Sequence, residues 1–149
     1  MPQKIRPFLW FDGQAEQAAR FYTSIFKKSK ILSVNPMSAT FRLEGLEFIA
    51  LNGGPHYKFS PAVSFFVNCQ TQKEINYYWK KLSAGGKFQK CGWLQDKFGL
   101  SWQIIPSILG DLLGDDDQEK AGRAMAAMLK MKKLDIAKLK KAHAGRSRH

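Results

Sequence analysis

The 149-residue chain has little of several things that would decide its class at once. It has two cysteines, Cys69 and Cys91, too few for a disulfide framework and too far apart for a C-x-x-C motif, so both read as free thiols. It has no apolar run approaching the roughly 18 residues of a membrane span. The opening "MPQKIRPFLWFDG" has no apolar targeting segment with a cleavage site, which predicts a cytoplasmic protein. A dinucleotide fingerprint is missing too: Gly53-Gly54 lacks the G-x-G-x-x-G spacing and opens no helix. His56 is the only histidine before the tail. Acid is scarce, with 12 Asp and Glu against 24 Lys and Arg, a formal charge of +12. Residues 120–149 hold ten of the basic residues and one acid, so the rest of the chain is close to neutral. A basic binding cleft in the body is excluded, a nucleic-acid partner is not expected, and the tail is a separate question.

What the chain does have is a folded composition, 44% hydrophobic with 11 Phe and 4 Trp, and an internal repeat. "FLWFDGQAEQAARFYTSIF" (8–26) aligns with "SFFVNCQTQKEINYYWKKL" (64–82) at an offset of 56, setting Trp10 on Phe66 and Asp12 on Asn68. Each copy reads as an aromatic strand ending at an Asx turn or helix cap, then an amphipathic helix of three to four turns. "GLEFIALN" (45–52) aligns with "GLSWQIIP" (99–106), a glycine turn leading into a strand. Between helix and last strand there is room for two more strands. In the first copy these are "KILSVNP" and "SATFRLE" around an Asn-Pro turn; in the second, "KFQKCGWLQD" follows the helix stop Gly85-Gly86. The prediction is an α+β chain of two tandem βαβββ modules, residues 1–52 and 62–106, joined by a linker over 53–61. A short helix over 107–114 completes a single domain of residues 1–114.

A basic helical extension is predicted over 115–149. Asp115-Asp116-Asp117 with Glu119 is a helix start, since acidic groups favour the positive helix N-terminus. The helix that follows places Met125, Met128 and Leu129 on one face, to pack on the body or a partner subunit. Asp135 can cap a second helix with Leu134 and Leu139 as its staple, and "HAGRSRH" should be a frayed end. A basic amphipathic helix could lie on a membrane surface, but packing with solvated lysines is the simpler reading, and no membrane partner is expected.

In the stretch "KFGLSWQIIP" (97–106) the strand after Gly99 carries one amide, Gln103, among large apolar residues. A buried amide costs free energy unless it is hydrogen-bonded, so Gln103 needs a partner or a purpose. "PFLWFDGQAEQAARFYTSIF", "LEFIALNGGP", "AVSFFVNC", "WKKLSAGG", "GWLQDKFGLSWQIIP" and "AMAAMLKMKKLDIAKL" occur in the order seen in PhnB-like proteins, also called the 3-demethylubiquinone-9 3-methyltransferase domain. The chain therefore resembles that branch of the vicinal oxygen chelate superfamily, which also holds glyoxalase I, extradiol dioxygenases and bleomycin-resistance proteins. The resemblance implies that each module curls its mixed sheet into half of a cup. In the metal enzymes it implies four ligands inside, at positions matching Ile5, Ile49, Pro61 and Gln103 here. Three of these cannot bind a metal, and a lone amide is a poor anchor for a divalent cation. No metal and no cofactor is expected.

If Gln103 points into the cup, strand alternation brings Ile105 with it, and Leu9, Phe11, Ile49, Leu51, Phe65 and Val67 are expected to join them. Phe8, Trp10 and Trp102 are then expected beneath the helices. Trp93 and His56 complete the expected ligand-binding set, His56 as a proton shuttle at the mouth. Cys91 is a weaker candidate nucleophile with no histidine nearby in sequence to activate it. An apolar cup with one orienting amide predicts a small-molecule-binding protein with an apolar or aromatic ligand, acting as a homodimer. The alternative is a superfamily enzyme, a lyase or dioxygenase, with a metal site rebuilt around His56 or Glu47. Methyl transfer is not expected, because the Gly-rich first turn of a cofactor-binding parallel sheet is missing.

Overall fold

The computed structural model describes residues 3–145. The chain divides into two compact units, residues 1–60 and residues 61–149. Each carries one four-stranded mixed sheet with a helix on one side.

In the first unit the order is β1 (Phe8–Phe11), α1 (Ala15–Ile25), β2 (Ser29–Val34), β3 (Ser38–Leu43) and β4 (Leu46–Asn52). The strands lie in the order β1-β4-β3-β2, with β1 parallel to β4 and the other pairs antiparallel. Helix α1 has no side-chain cap of its own at Gln14, and Asp12 is exposed. Asn52 at the end of β4 takes that role instead, its Oδ1 accepting from the Ala15 backbone N–H at 2.8 Å. The small residues Ala15, Ala18 and Ala19 bring α1 close to the sheet. Tyr22 and Ile25 then meet Leu9, Phe11, Phe41, Leu43 and Phe48, all buried. Phe41 and Phe48 stack with ring centroids 5.2 Å apart.

The second unit repeats this plan with β5 (Ser64–Cys69), α2 (Gln72–Ser83), β6 (Lys87–Phe88), β7 (Trp93–Gln95) and β8 (Ser101–Pro106), in the order β5-β8-β7-β6. Here too the Asx residue is not the cap. Thr71 accepts from the Glu74 N–H while the Glu74 carboxylate accepts from the Gln70 N–H, a reciprocal pair that satisfies two helix-end donors. The core under α2 is Ile75, Tyr78, Trp79 and Leu82 against Leu94, Trp102 and Ile104. The turn from β7 to β8 is built on one buried carboxylate, Asp96. It accepts from the backbone N–H groups of Phe98 and Leu100 and from the Trp102 indole Nε1 at 2.9 Å.

Three helices end the second unit: α3 (Leu109–Leu113), α4 (Gln118–Leu129) and α5 (Ile136–Ala144). Asp117 caps α4 and Asp135 caps α5, as their acidic starts predict. Leu134 and Leu139 are fully buried in a second small core with Ile105 and Leu109, which Met128 joins. Met125 and Leu129 do not pack with Met128; both are exposed, because the core claims the other side of α4. The segment before α5 is tied to the sheet by backbone bonds from Cys91 N–H to Met131 O and from Gly92 N–H to Lys132 O, each 2.8 Å. Of the expected frayed end, residues 146–149 lie outside the described part; His143 and Ala144 belong to α5. No helix of the described residues is long and apolar enough to cross a membrane.

Candidate functional site

Strand register decides which side chains share a face, because residues paired across a ladder point to the same side. In the second sheet Gln103 pairs with Phe66 on β5 and with Trp93 on β7. Ser101, two residues earlier, pairs with Ser64 and Gln95, and Ile105, two later, pairs with Asn68. One face therefore carries a polar row, Ser64–Ser101–Gln95, beside a row Phe66–Gln103–Trp93. Phe66 is 55% exposed, and Gln103 and Trp93 are half-buried, so this face is open in the middle. At one end it is closed: Ile105 is buried under Leu134 and Leu139 of the C-terminal helices. The opposite face carries Phe65, Trp102 and Leu94, then Val67 and Ile104, and packs under α2. Phe65 and Trp102 touch there, ring centroids 5.5 Å apart.

The Gln103 amide reaches diagonally across to β5. Its Nε2 donates to Ser64 Oγ at 3.0 Å, the one side-chain hydrogen bond it makes among the described residues. That bond orients the amide and leaves the carbonyl oxygen as an acceptor on the open face. Beside it, the Ser101 hydroxyl is buried with no hydrogen-bond partner among the described residues, a rare and costly state for a buried polar group.

In the first unit the same logic gives the rows Phe8–Ile49–Thr40 and Trp10–Leu51–Ser38 on one face. Leu9 and Phe11 lie on the other, buried with Phe41, Phe48 and Ala50 on the α1 side of the sheet. The loop after β4 lies on Trp10. Its indole Nε1 donates to Gly54 O at 2.9 Å, and Tyr57 meets the ring edge-on at 4.9 Å. A side chain on Gly53 would strike that ring, its Cβ falling 2.3 Å from Trp10 Cε2. His56 sits exposed in the same loop.

The expected strand facing thus holds on the last strands and is reversed on the first. Gln103, Ile105, Ile49 and Leu51 share faces as expected, and Trp102 is beneath a helix. Leu9, Phe11, Phe65 and Val67 lie on the helix sides, while Phe8 and Trp10 lie on the faces away from the helices. The chain bends at residues 4–5 and turns at 61–62 before β1 and β5 begin, so alternation does not survive to the strands. Phe66 and Ser64 were missed for that reason. A signal for them existed: in "SFFVNC" the polar residues Ser64 and Asn68 alternate with the apolar Phe65, Val67 and Cys69, which marks the even positions as the less buried side.

The residues do not fit a metal. Of the four positions implied by the superfamily, Ile5 and Pro61 are exposed apolar residues, Ile49 is apolar, and Gln103 is bonded to Ser64. No cluster of three His, Cys, Asp or Glu side chains occurs among the described residues. Glu47, the alternative ligand, lies instead between two guanidinium groups, Arg6 at 2.6 Å and Arg42 at 3.8 Å. Neither thiol is poised to react by its surroundings. Burial, with the Glu74 carboxylate adding to it, pushes Cys69 from 9.0 up to about 12. Cys91 sits in the left-handed region at φ 60°, at the turn held by the Met131 carbonyl, with no basic side chain bonded to it.

A family model described as 3-demethylubiquinone-9 3-methyltransferase matches residues 3–105. No curated protein matches. Among solved structures, a PhnB protein from Bacillus cereus, described under the same methyltransferase name, is 36% identical; the match covers 70% of this chain and all of that one, with a TM-score of 0.66. Protein PA1353 from Pseudomonas aeruginosa is 19% identical over 70% of this chain and 98% of its own, with a TM-score of 0.58. The fosfomycin resistance protein FosX from Listeria monocytogenes, solved with Mn(II) and sulfate, shares the fold at 13% identity and a TM-score of 0.58, over 76% of this chain and 97% of its own. With the duplicated module, the strand order and two thirds of its length accounted for in this way, the chain belongs to the PhnB-like, 3-demethylubiquinone-9 3-methyltransferase family, a family name that describes a domain and not a demonstrated reaction.

Proposed function

We propose that the protein binds a small, apolar or aromatic molecule on the open face of its second sheet. The observation that carries this is the row Phe66–Gln103–Trp93, two aromatic rings flanking one amide whose orientation Ser64 fixes. Aromatic walls with a few placed polar groups are the usual composition of a small-molecule site. The rings would hold the flat body of the ligand, and the Gln103 carbonyl would accept from a hydroxyl or N–H at its edge. Ile105 under the C-terminal helices would limit how far the ligand extends along the sheet. The donor set offers no metal chemistry, so the reading is one of binding or sequestration, and methyl transfer remains a name only.

A homodimer is part of this proposal, supported by outer strands in each sheet whose backbone groups can pair. Light scattering at micromolar concentration tests it, and a monomer there would reject it. For the site, thermal unfolding is measured with a panel of neutral aromatic compounds such as naphthol, hydroxyquinoline and menadione. A compound that binds the folded state raises the melting temperature in proportion to the logarithm of its concentration. The expected result is a shift from at least one hydroxyl-bearing member that Gln103→Leu clearly reduces at the same concentration. A panel without any shift would count against the reading.

A further inference from the structure

The C-terminal helices lie outside the matched family region, which ends at residue 105. They form a cleft of about 560 Å³ between α4 and α5. Its floor is made of small side chains, Ala126 and Ala142 among them, and its rim carries Arg123, Lys130, Lys138 and Lys141. No carboxylate side chain lines it among the described residues. The acids of this segment, Asp115, Asp116, Asp117 and Glu119, stand at the start of α4, and Asp135 is spent capping α5.

Two features make this more than a solvated basic surface. Arg123 is held in place, its Nε and Nη2 donating to the carbonyls of Ala142 and His143 at 3.0 Å each, which leaves Nη1 without a partner among the described residues. The side chains of Lys130, Lys138 and Lys141 make no ion pair or hydrogen bond among the described residues, although five carboxylates lie in the same segment. Like charges brought together around a concavity repel, and an anion held between them relieves that repulsion. The volume lies in the range of small-molecule sites.

We propose that this cleft binds a small polyanion bearing phosphate groups, of nucleotide size. A lipid surface fits less well, because the side chains facing the cleft are alanines and charged groups, and the exposed Met125 and Leu129 are not among its lining. A nucleic-acid chain would need a track of charge, whereas the cations here converge on one concavity.

The probe is inorganic tripolyphosphate, titrated calorimetrically into the full-length protein at low salt. Saturable, single-site binding is expected, weakened about tenfold by Lys138→Glu with Lys141→Glu. The paired change Lys80→Glu and Lys81→Glu on exposed positions of α2 should leave it unaltered. Reversed charge near the C-terminus of α5 could loosen that helix, so the pair Lys138→Gln and Lys141→Gln is measured as well, with circular dichroism to confirm the fold. Absence of saturable binding, or an equal loss in the α2 pair, would overturn the proposal. So would tight, steeply salt-dependent binding of a single-stranded oligonucleotide or of anionic vesicles with none of tripolyphosphate.

Discussion

Replacing Gln103 by Leu separates the two jobs the amide can do. The change keeps the bulk of the side chain and removes its bond to Ser64. A net hydrogen bond in a folded protein contributes roughly 0.5–1.5 kcal/mol, and the Ser64 hydroxyl left behind is only half-buried, so water can reach it. The better burial of Leu offsets part of that loss. The expected change in stability is therefore small, about 1 kcal/mol or less, which for a chain of this size lowers the melting temperature by roughly 2–4 °C at most. Ser64→Ala deletes the same bond but leaves the amide on the open face. In a double-mutant cycle the two changes should be coupled by about 1 kcal/mol in stability, since they remove one shared bond. In binding they should differ. Loss of the carbonyl acceptor leaves a ligand donor unpaired and should cost about 1–2 kcal/mol, roughly 5- to 30-fold in affinity, for any panel compound that binds. Ser64→Ala only loosens the amide and should cost less. If both variants melt lower by the same amount and both bind as tightly as the parent, Gln103 is a strand bridge alone and the site reading fails.

Asp96→Ala should destabilise the fold by on the order of 3 kcal/mol, because it strands a buried indole N–H and two backbone donors; denaturant unfolding measures it, and a loss below about 1 kcal/mol would mean the turn closes without the carboxylate. Iodoacetamide near neutral pH should modify the half-buried Cys91 well before Cys69, whose thiol is held neutral up to about pH 12 by burial and by Glu74; mass spectrometry of timed samples would show the order. Since that raised value favours the neutral thiol in the fold, its contribution to stability is complete below pH 9 and declines as pH rises from 9 towards 12. Asp115 behaves in the opposite sense. The Asp117 backbone N–H, and then His143 at 2.8 Å, hold its carboxyl below the usual 3.8, so its contribution is present above that pH and is lost as pH falls through the lowered value. Asp115→Asn should therefore melt lower than the parent at neutral pH and converge with it in strong acid, and a gap that persisted there would refute the linkage.

How much of this was legible depended on whether a signal was local. The repeat announced two modules because each element carries its own pattern: apolar spacing in α1 and α2, a glycine turn before β4 and β8, acidic caps before α4 and α5. The caps of the first two helices were misplaced because the residues that satisfy those ends stand elsewhere. Asn52, 37 positions from Ala15, caps α1, while Thr71 and Glu74 take over from Asn68 at α2. Facing was the harder problem. "FLWF" is apolar at every position, so nothing in β1 says which side Trp10 takes; only its pairing with Leu51, 41 residues away, decides it. "SFFVNC" did contain the answer, in its polar residues Ser64 and Asn68, which alternate with Phe65, Val67 and Cys69.

The C-terminal helices show why the burial of Ile105 could not be read from its strand. β8 gives Gln103 and Ile105 one face, which implies equal exposure. The structure buries Ile105 to 5% because Leu134 and Leu139 arrive from a segment that the alternation of β8 says nothing about. What brings that segment there is backbone chemistry at Cys91 and Gly92, both in the left-handed region, whose N–H groups turn outward to the carbonyls of Met131 and Lys132. Gly92 is the constrained position: a Cβ there would lie 2.9 Å from Ile104 O, 3.0 Å from Ile105 Cδ1 and 3.1 Å from Leu134 Cδ1. The glycine is thus the point where the family sheet and the added helices meet, and the end of the open face is set by a residue that touches no ligand.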